Sequence, residues 1–205
     1  MDSKELQELV ISALALALAF GIAFSGGISA LGDLDLLAKA SGASLVGVSL
    51  GFILHEMGHR FTARKYGCFA EYVMWPSGLI MALVFSLFGF VFAAPGAVMI
   101  RSGVDMWGRS TLTPQRYGII SLAGPVMNMG LVIVFLLLDV VYPDTIMVNN
   151  LSMFELAALV NAWLAIFNLI PFGPLDGAKI FNWDKAVWGA ALAVGILLFA
   201  VQLLY

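Results

Sequence analysis

The sequence predicts an all-α polytopic membrane protein, a bundle of five to six transmembrane helices with a re-entrant element between the helix carrying His55-Glu56-Met57-Gly58-His59 and the helix carrying Gly124-Pro125. Three observations predict it. Of the 205 residues 61% are hydrophobic and 11% charged, and the mean hydropathy is +0.98, which fixes a bilayer rather than water as the solvent. Uncharged runs of membrane length follow one another along the chain. Basic residues are distributed unevenly between the ends of those runs. The length suits one membrane-embedded domain over 1–205, with no space for a soluble ligand-binding domain of ordinary size. A net charge of -3 argues against nucleic acid, and the lone Cys68 excludes an intrachain disulfide.

The elements follow in order. Leu9 to Leu31 is uncharged for 23 residues and is preceded by Asp2, Glu5 and Glu8 with only Lys4 basic, so a first helix over about 9–31 reads as a retained span rather than a secretory signal. Ala40 to Leu54 adds fifteen uncharged residues that lead into the histidine motif. The remaining runs are Tyr72–Ile100, Tyr117–Leu138, Leu156–Leu175 and a last helix over about 186–205. No internal repeat, low-complexity tract or heptad pattern interrupts them.

The run from 72 to 100 has 29 residues, too few for two passes of about 20 each. Pro76, Gly78, Gly89, Pro95 and Gly96 break it. If it dips in and returns, then Lys4, Arg60, Arg64, Lys65, Arg101, Arg109, Arg116, Lys179 and Lys185 share one side, with only Lys39 opposite. A full crossing would divide them almost evenly, so the charge rule favours a re-entrant element. Irregular backbone at that depth must be satisfied by protein or by a wet cavity, which places the element beside the active site. Pro95-Gly96 is either a plain loop turn or an extended edge that adds a strand to an unwound substrate.

His55 and His59 are the two histidines of the chain. Four residues apart on a helix, they share a face and can hold one zinc ion. Glu56 lies where its carboxylate reaches a water on that ion without ligating it. Ionisable groups at such depth are costly and usually functional. A catalytic zinc needs a third protein ligand, and Asp176 is the best candidate. Alone, Leu175-Asp176-Gly177 reads as a turn; with Pro171 and Pro174 before it the backbone is not regular helix and Asp176 can be aimed inward. Topology agrees, because a re-entrant 72–100 returns Asp176 to the membrane side that carries His59.

His55-Glu56-Met57-Gly58-His59, followed far downstream by Asn168-Leu169-Ile170-Pro171 and Leu175-Asp176-Gly177, resembles the site-2 protease family of intramembrane zinc metalloproteases. The resemblance covers about 43–183 and includes Gly124-Pro125, where that family commonly has a Gly-Pro pair. It implies one zinc on His55, His59 and Asp176, Glu56 as general base, and cleavage of transmembrane segments of other membrane proteins. Ala178 stands where the family often has a second glycine, and the segment before Gly124-Pro125 is longer and more apolar than in minimal members. PDZ and CBS domains found in some relatives are not expected here.

The expected reaction is peptide hydrolysis by zinc-activated water, with Glu56 taking the proton and passing it to the leaving amine. Asn168 has two readings: a donor to the developing oxyanion, or a partner of a neighbouring helix or of carbonyls freed by Pro171. Asn128 and Asn161 read as interhelical hydrogen bonders beside small residues. The expected partners are a substrate helix and the lipid bilayer. The expected location is a prokaryotic cell membrane with the site toward the cytoplasm. Two other classes fit the ligands less well. A divalent-metal transporter gives Glu56 no task and lacks a ladder of further ligands, and a silent binder of membrane helices leaves the complete ligand set unexplained.

Overall fold

A 32-residue helix, α2 (Leu34–Lys65), forms the axis of the fold in the computed structural model, which describes residues 3–104, 106–108, 110–142 and 148–204, with 30 and 31 as backbone only. Asp33 opens α2 by accepting the Leu36 N–H, satisfying one of the donors left bare at a helix start. Helices α1 (Ser3–Phe24), α4 (Pro114–Val141) and α5 (Met153–Asn168) pack around it. Small residues bring them close: a Cβ on Gly47 would lie 2.6 Å from Ala157 Cα, and one on Gly51 would lie 2.5 Å from Asn161 Oδ1. Close backbone approach is how helices associate where lipid removes the hydrophobic drive.

The expected first helix over 9–31 is displaced. It begins at Ser3 and ends at Phe24, because Gly26 and Gly27 take φ of 95° and 67°, which a right-handed helix does not contain. A short 3-10 turn (Gly27–Gly32) then leads to α2. The charged start that composition set outside the span is helical, and Glu5 is buried.

Between α2 and α4 the chain makes an excursion and returns. Strand β1 (Phe69–Met74) pairs antiparallel with β2 (Gly96–Arg101), with Phe69 opposite Arg101 and Met74 opposite Gly96. The short helix α3 (Pro76–Ser86) lies between them and packs on α1. At the far end Leu87 O accepts the Ile28 N–H at 2.8 Å, and on the way back Val91 O accepts the Trp163 indole N–H at 2.9 Å. The two-stranded sheet is a departure from an all-helical bundle: alternating exposed and buried positions from Phe69 to Tyr72 give a period of two that hydropathy alone does not separate from helix.

The expected run 156–175 is helical only to Asn168, in α5; its prolines lie in an irregular stretch that contains Gly173 at φ 60° and leads to α6 (Asp176–Trp183). Ser152 and Glu155 form a capping box at the start of α5. The last helix, α7 (Lys185–Gln202), matches the expected 186–205 apart from its end, and Tyr205 lies outside the described residues. Helices α1, α2, α4 and α7 are long and apolar enough to cross a membrane, whereas α3 and α5 are shorter apolar helices.

Contacts collect the basic residues at one end of the bundle. Arg60 pairs with Glu5, Arg116 lies over the Tyr66 ring, Lys179 over Tyr117 and Lys185 over Phe181. Lys39 pairs with Asp35 at the opposite end of α2. Arg109 lies outside the described residues.

Candidate metal centre and active site

Helix α2 brings His55 and His59 onto one face, and both are 5% exposed. Their Nε2 atoms lie 3.0 Å apart. Asp176, the first residue of α6, points its Oδ2 at both, 2.9 Å from His59 Nε2 and 3.3 Å from His55 Nε2. The irregular stretch before it makes this possible: a Cβ on Gly177 would lie 2.1 Å from Leu169 O, so the chain folds back on the end of α5 only with glycine there.

The remaining ring nitrogens are engaged. His55 Nδ1 meets Asn128 Oδ1 at 2.6 Å, and His59 Nδ1 meets the Ile120 carbonyl at 2.8 Å. Both partners are acceptors, so each Nδ1 donates and each ring turns its Nε2 inward. Asn128 Nδ2 donates to Gly51 O at 3.1 Å and to Asn161 Oδ1 at 3.0 Å, which fixes the orientation of its amide. Asn161 in turn donates to Gly47 O and Ala157 O. The carboxylate is oriented likewise by Lys179 Nζ, which donates to Asp176 Oδ1 at 3.2 Å and leaves Oδ2 to the histidines.

Three potential ligand atoms thus converge from two imidazoles and a carboxylate. Their separations, 2.9, 3.0 and 3.3 Å, are at or a little below the roughly 3.3 Å edge of a tetrahedron with ligands ~2.0–2.1 Å from its centre. Gly124 keeps the space open, since a Cβ there would lie 2.5 Å from His59 Nε2 and 2.6 Å from His55 Nε2. Two histidines and one carboxylate are a ligand set that zinc takes in hydrolases. Among the described residues this is the one group of His, Cys, Asp and Glu placed to hold a metal.

Glu56 sits beside the group, buried, and its Oε2 has no hydrogen-bond partner. An unpartnered buried carboxylate oxygen is costly, which makes Glu56 a candidate functional group. It faces a cavity of about 310 Å³ that also borders Asp176, Lys179, Asn168 and the residues of β2 from Gly96 to Ile100. Asn168 lies in the cavity wall with its Nδ2 donating to Leu164 O of its own helix at 2.9 Å, which is neither a neighbouring helix nor a carbonyl freed by Pro171.

Sequence reasoning misses three features of this shell. Asn128 was assigned to helix packing alone, and it also orients His55. Lys179 counted only as a basic surface charge, although its place three residues after Asp176 on a helix signals a pair. The Ile120 carbonyl is backbone and leaves no mark in the sequence.

Fold and site together define a helical protein with four membrane-length helices and a buried two-histidine, one-aspartate site that fits zinc. Comparison agrees: the chain is 35% identical over 188 residues, 91% of its length and 88% of the relative's, to a protein of Methanocaldococcus jannaschii that carries the provisional name of a zinc metalloprotease. A second protein of that organism, named a zinc metalloprotease, is 28% identical over 130 residues, 63% of this chain and 30% of that one. The chain therefore belongs to a zinc metalloprotease family. No family profile matches it, and no solved structure does.

Proposed function

We propose that the chain is an intramembrane zinc endopeptidase of the site-2 protease class, which hydrolyses peptide bonds in or near transmembrane segments of other membrane proteins. The observation that carries this reading is an unpartnered Glu56 carboxylate beside the His55, His59 and Asp176 donors, in a cavity bordered on one side by β2. His55, His59 and Asp176 would hold one zinc. When bound, zinc polarises the scissile carbonyl and acidifies a water.

The chain's own residues supply the rest. Glu56 Oε2 is free to take a proton from water and to hand it to the leaving amine nitrogen. Asn128, Ile120 O and Lys179 keep the three donors aimed inward, so no reorientation is needed during reaction. Asn168 is near enough to meet the carbonyl oxygen if its amide leaves Leu164 O.

Substrate delivery uses β2. Because Tyr72 and Met74 turn their N–H groups away from β2, the residues opposite them, Val98 and Gly96, turn their own peptide groups to the outer edge, as does Ile100. That edge borders the metal cavity. A peptide bond inside a helix is shielded, and a segment unwound along β2 would be held by backbone hydrogen bonds beside Glu56. The excursion over 72–100 is then the re-entrant element, entering and leaving at the basic end of the bundle, which is the cytoplasmic end by the charge rule.

Metal removal tests the reading. In liposomes carrying a transmembrane substrate, the purified chain should contain one zinc and cut, lose both properties to a chelator, and regain both on zinc addition. Cleavage that survives complete loss of metal would overturn it. Zinc binding without cleavage across a panel of helices would favour metal transport, with ion flux as the next assay.

A further inference from the structure

Strand β1 has β2 on one side and a row of outward N–H groups on the other, an edge that a second peptide could pair with. Helix α1 covers it with two carboxylates. Glu5 Oε1 accepts the Tyr72 N–H at 2.9 Å, and Glu8 Oε2 accepts the Met74 N–H at 2.9 Å. The spacing allows this because Glu5 and Glu8, three apart on a helix, share a face, while Tyr72 and Met74, two apart on a strand, share an edge.

Glu5 is also held from the other side. Arg60 grips it through Nη1 to Oε1 at 2.9 Å and Nη2 to Oε2 at 3.0 Å, a bidentate pair in which the arginine side chain is 11% and the glutamate 4% exposed. Arg60 directly follows His59. A continuous path therefore runs from the metal-binding helix through Arg60, Glu5 and Tyr72 to Val98 on the open edge. The Tyr72 hydroxyl fastens the same point, bonding Ser12 of α1 at 2.8 Å and donating to Pro95 O at 3.1 Å.

We infer that Glu5 and Glu8 of α1 stand in for a third strand: as positioning residues they close the β1 edge to substrate and set the height of β2 against the metal centre, and thereby which bond is cut. The inference rests on strand capture by β2, and the experiment separates the two. The full chain in liposomes would be compared as wild type, Glu8→Ala and Glu8→Gln, reading KM, kcat, product masses, zinc content and backbone amide exchange at Met74. Glu8 is chosen because its side chain, 18% exposed, sits at the rim rather than inside the buried pair.

Glu8→Ala should raise KM about tenfold, the effect of one charge-assisted hydrogen bond. It should also add a second cut position, speed exchange at Met74 and leave zinc unchanged. Glu8→Gln keeps an acceptor oxygen and should restore both KM and the single cut. Unchanged KM and cut position in Glu8→Ala, or a Gln variant as impaired as Ala, would overturn the inference while leaving the protease reading intact. If wild type cuts nothing, the protease reading fails and exchange at Met74 decides alone: faster exchange in Glu8→Ala sustains the clamp, and unchanged exchange rejects it.

Discussion

The metal centre and the β1–α3–β2 excursion are neighbours built on opposite principles. In the centre the ligands on α2 and α6 are fixed by Asn128 of α4, itself held by Asn161 of α5, by the Ile120 carbonyl and by Lys179, and all but Lys179 are buried. In the excursion the useful groups are backbone, the peptide edge of β2, and two carboxylates of α1 hold them from behind. The difference teaches that a site needing particular atoms is secured by particular residues, whereas the capture of substrate proposed for β2 would rest on peptide groups that a segment of any sequence can match.

Variants of the two regions should therefore separate. The largest effect is expected from Gly124→Ala, whose added methyl would enter the space between the two Nε2 atoms. Zinc affinity and cleavage should both fall by at least about 100-fold, at or beyond the upper end of outer-shell substitutions, as read by metal titration and product formation. Asn128→Ala comes next: losing the acceptor on His55 Nδ1 should weaken zinc by about 10- to 100-fold, with Asn161→Ala milder because it touches no ligand. Retention of wild-type zinc affinity by Asn128→Ala would break the distinction between the regions.

Val98→Pro should do the reverse. An edge strand tolerates proline where the lost N–H faces outward, so zinc content should stay at wild type while kcat/KM falls on the order of tenfold. A joint loss of zinc would show that the excursion is part of the metal shell instead. The smallest effect is expected for Lys179→Met, because Lys179, at 18% exposure, is the least buried of the orienting groups and bonds the Asp176 oxygen that does not face the histidines. Zinc affinity should drop by no more than about fivefold.

The same contrast decides what was legible in the sequence. His55, Glu56 and His59 stand out because ionisable residues in an apolar run need a reason, and Asp176 because two prolines and a glycine surround it; the structure brings all four to one cavity. Gly124 was visible only by resemblance, and its reason, the space between the imidazoles, emerges only in three dimensions. The first helix was misplaced toward its C-terminus because hydropathy weighs Glu5 and Glu8 as solvent-seeking, whereas Arg60 and the β1 edge make their burial tolerable. The sheet was hidden for a related reason. Along β1 the exposed positions include apolar Phe69 and Val73, so hydropathy shows no period of two that separates strand from helix.

The central claim, that Glu56 moves protons beside a metal it does not bind, is tested most directly by Glu56→Gln in liposomes with a transmembrane substrate and zinc counted in the same sample. The account predicts one zinc per chain in both proteins and cleavage by the wild type alone. Loss of zinc with cleavage would make Glu56 a ligand, and cleavage retained at the wild-type rate would contradict its role as the base.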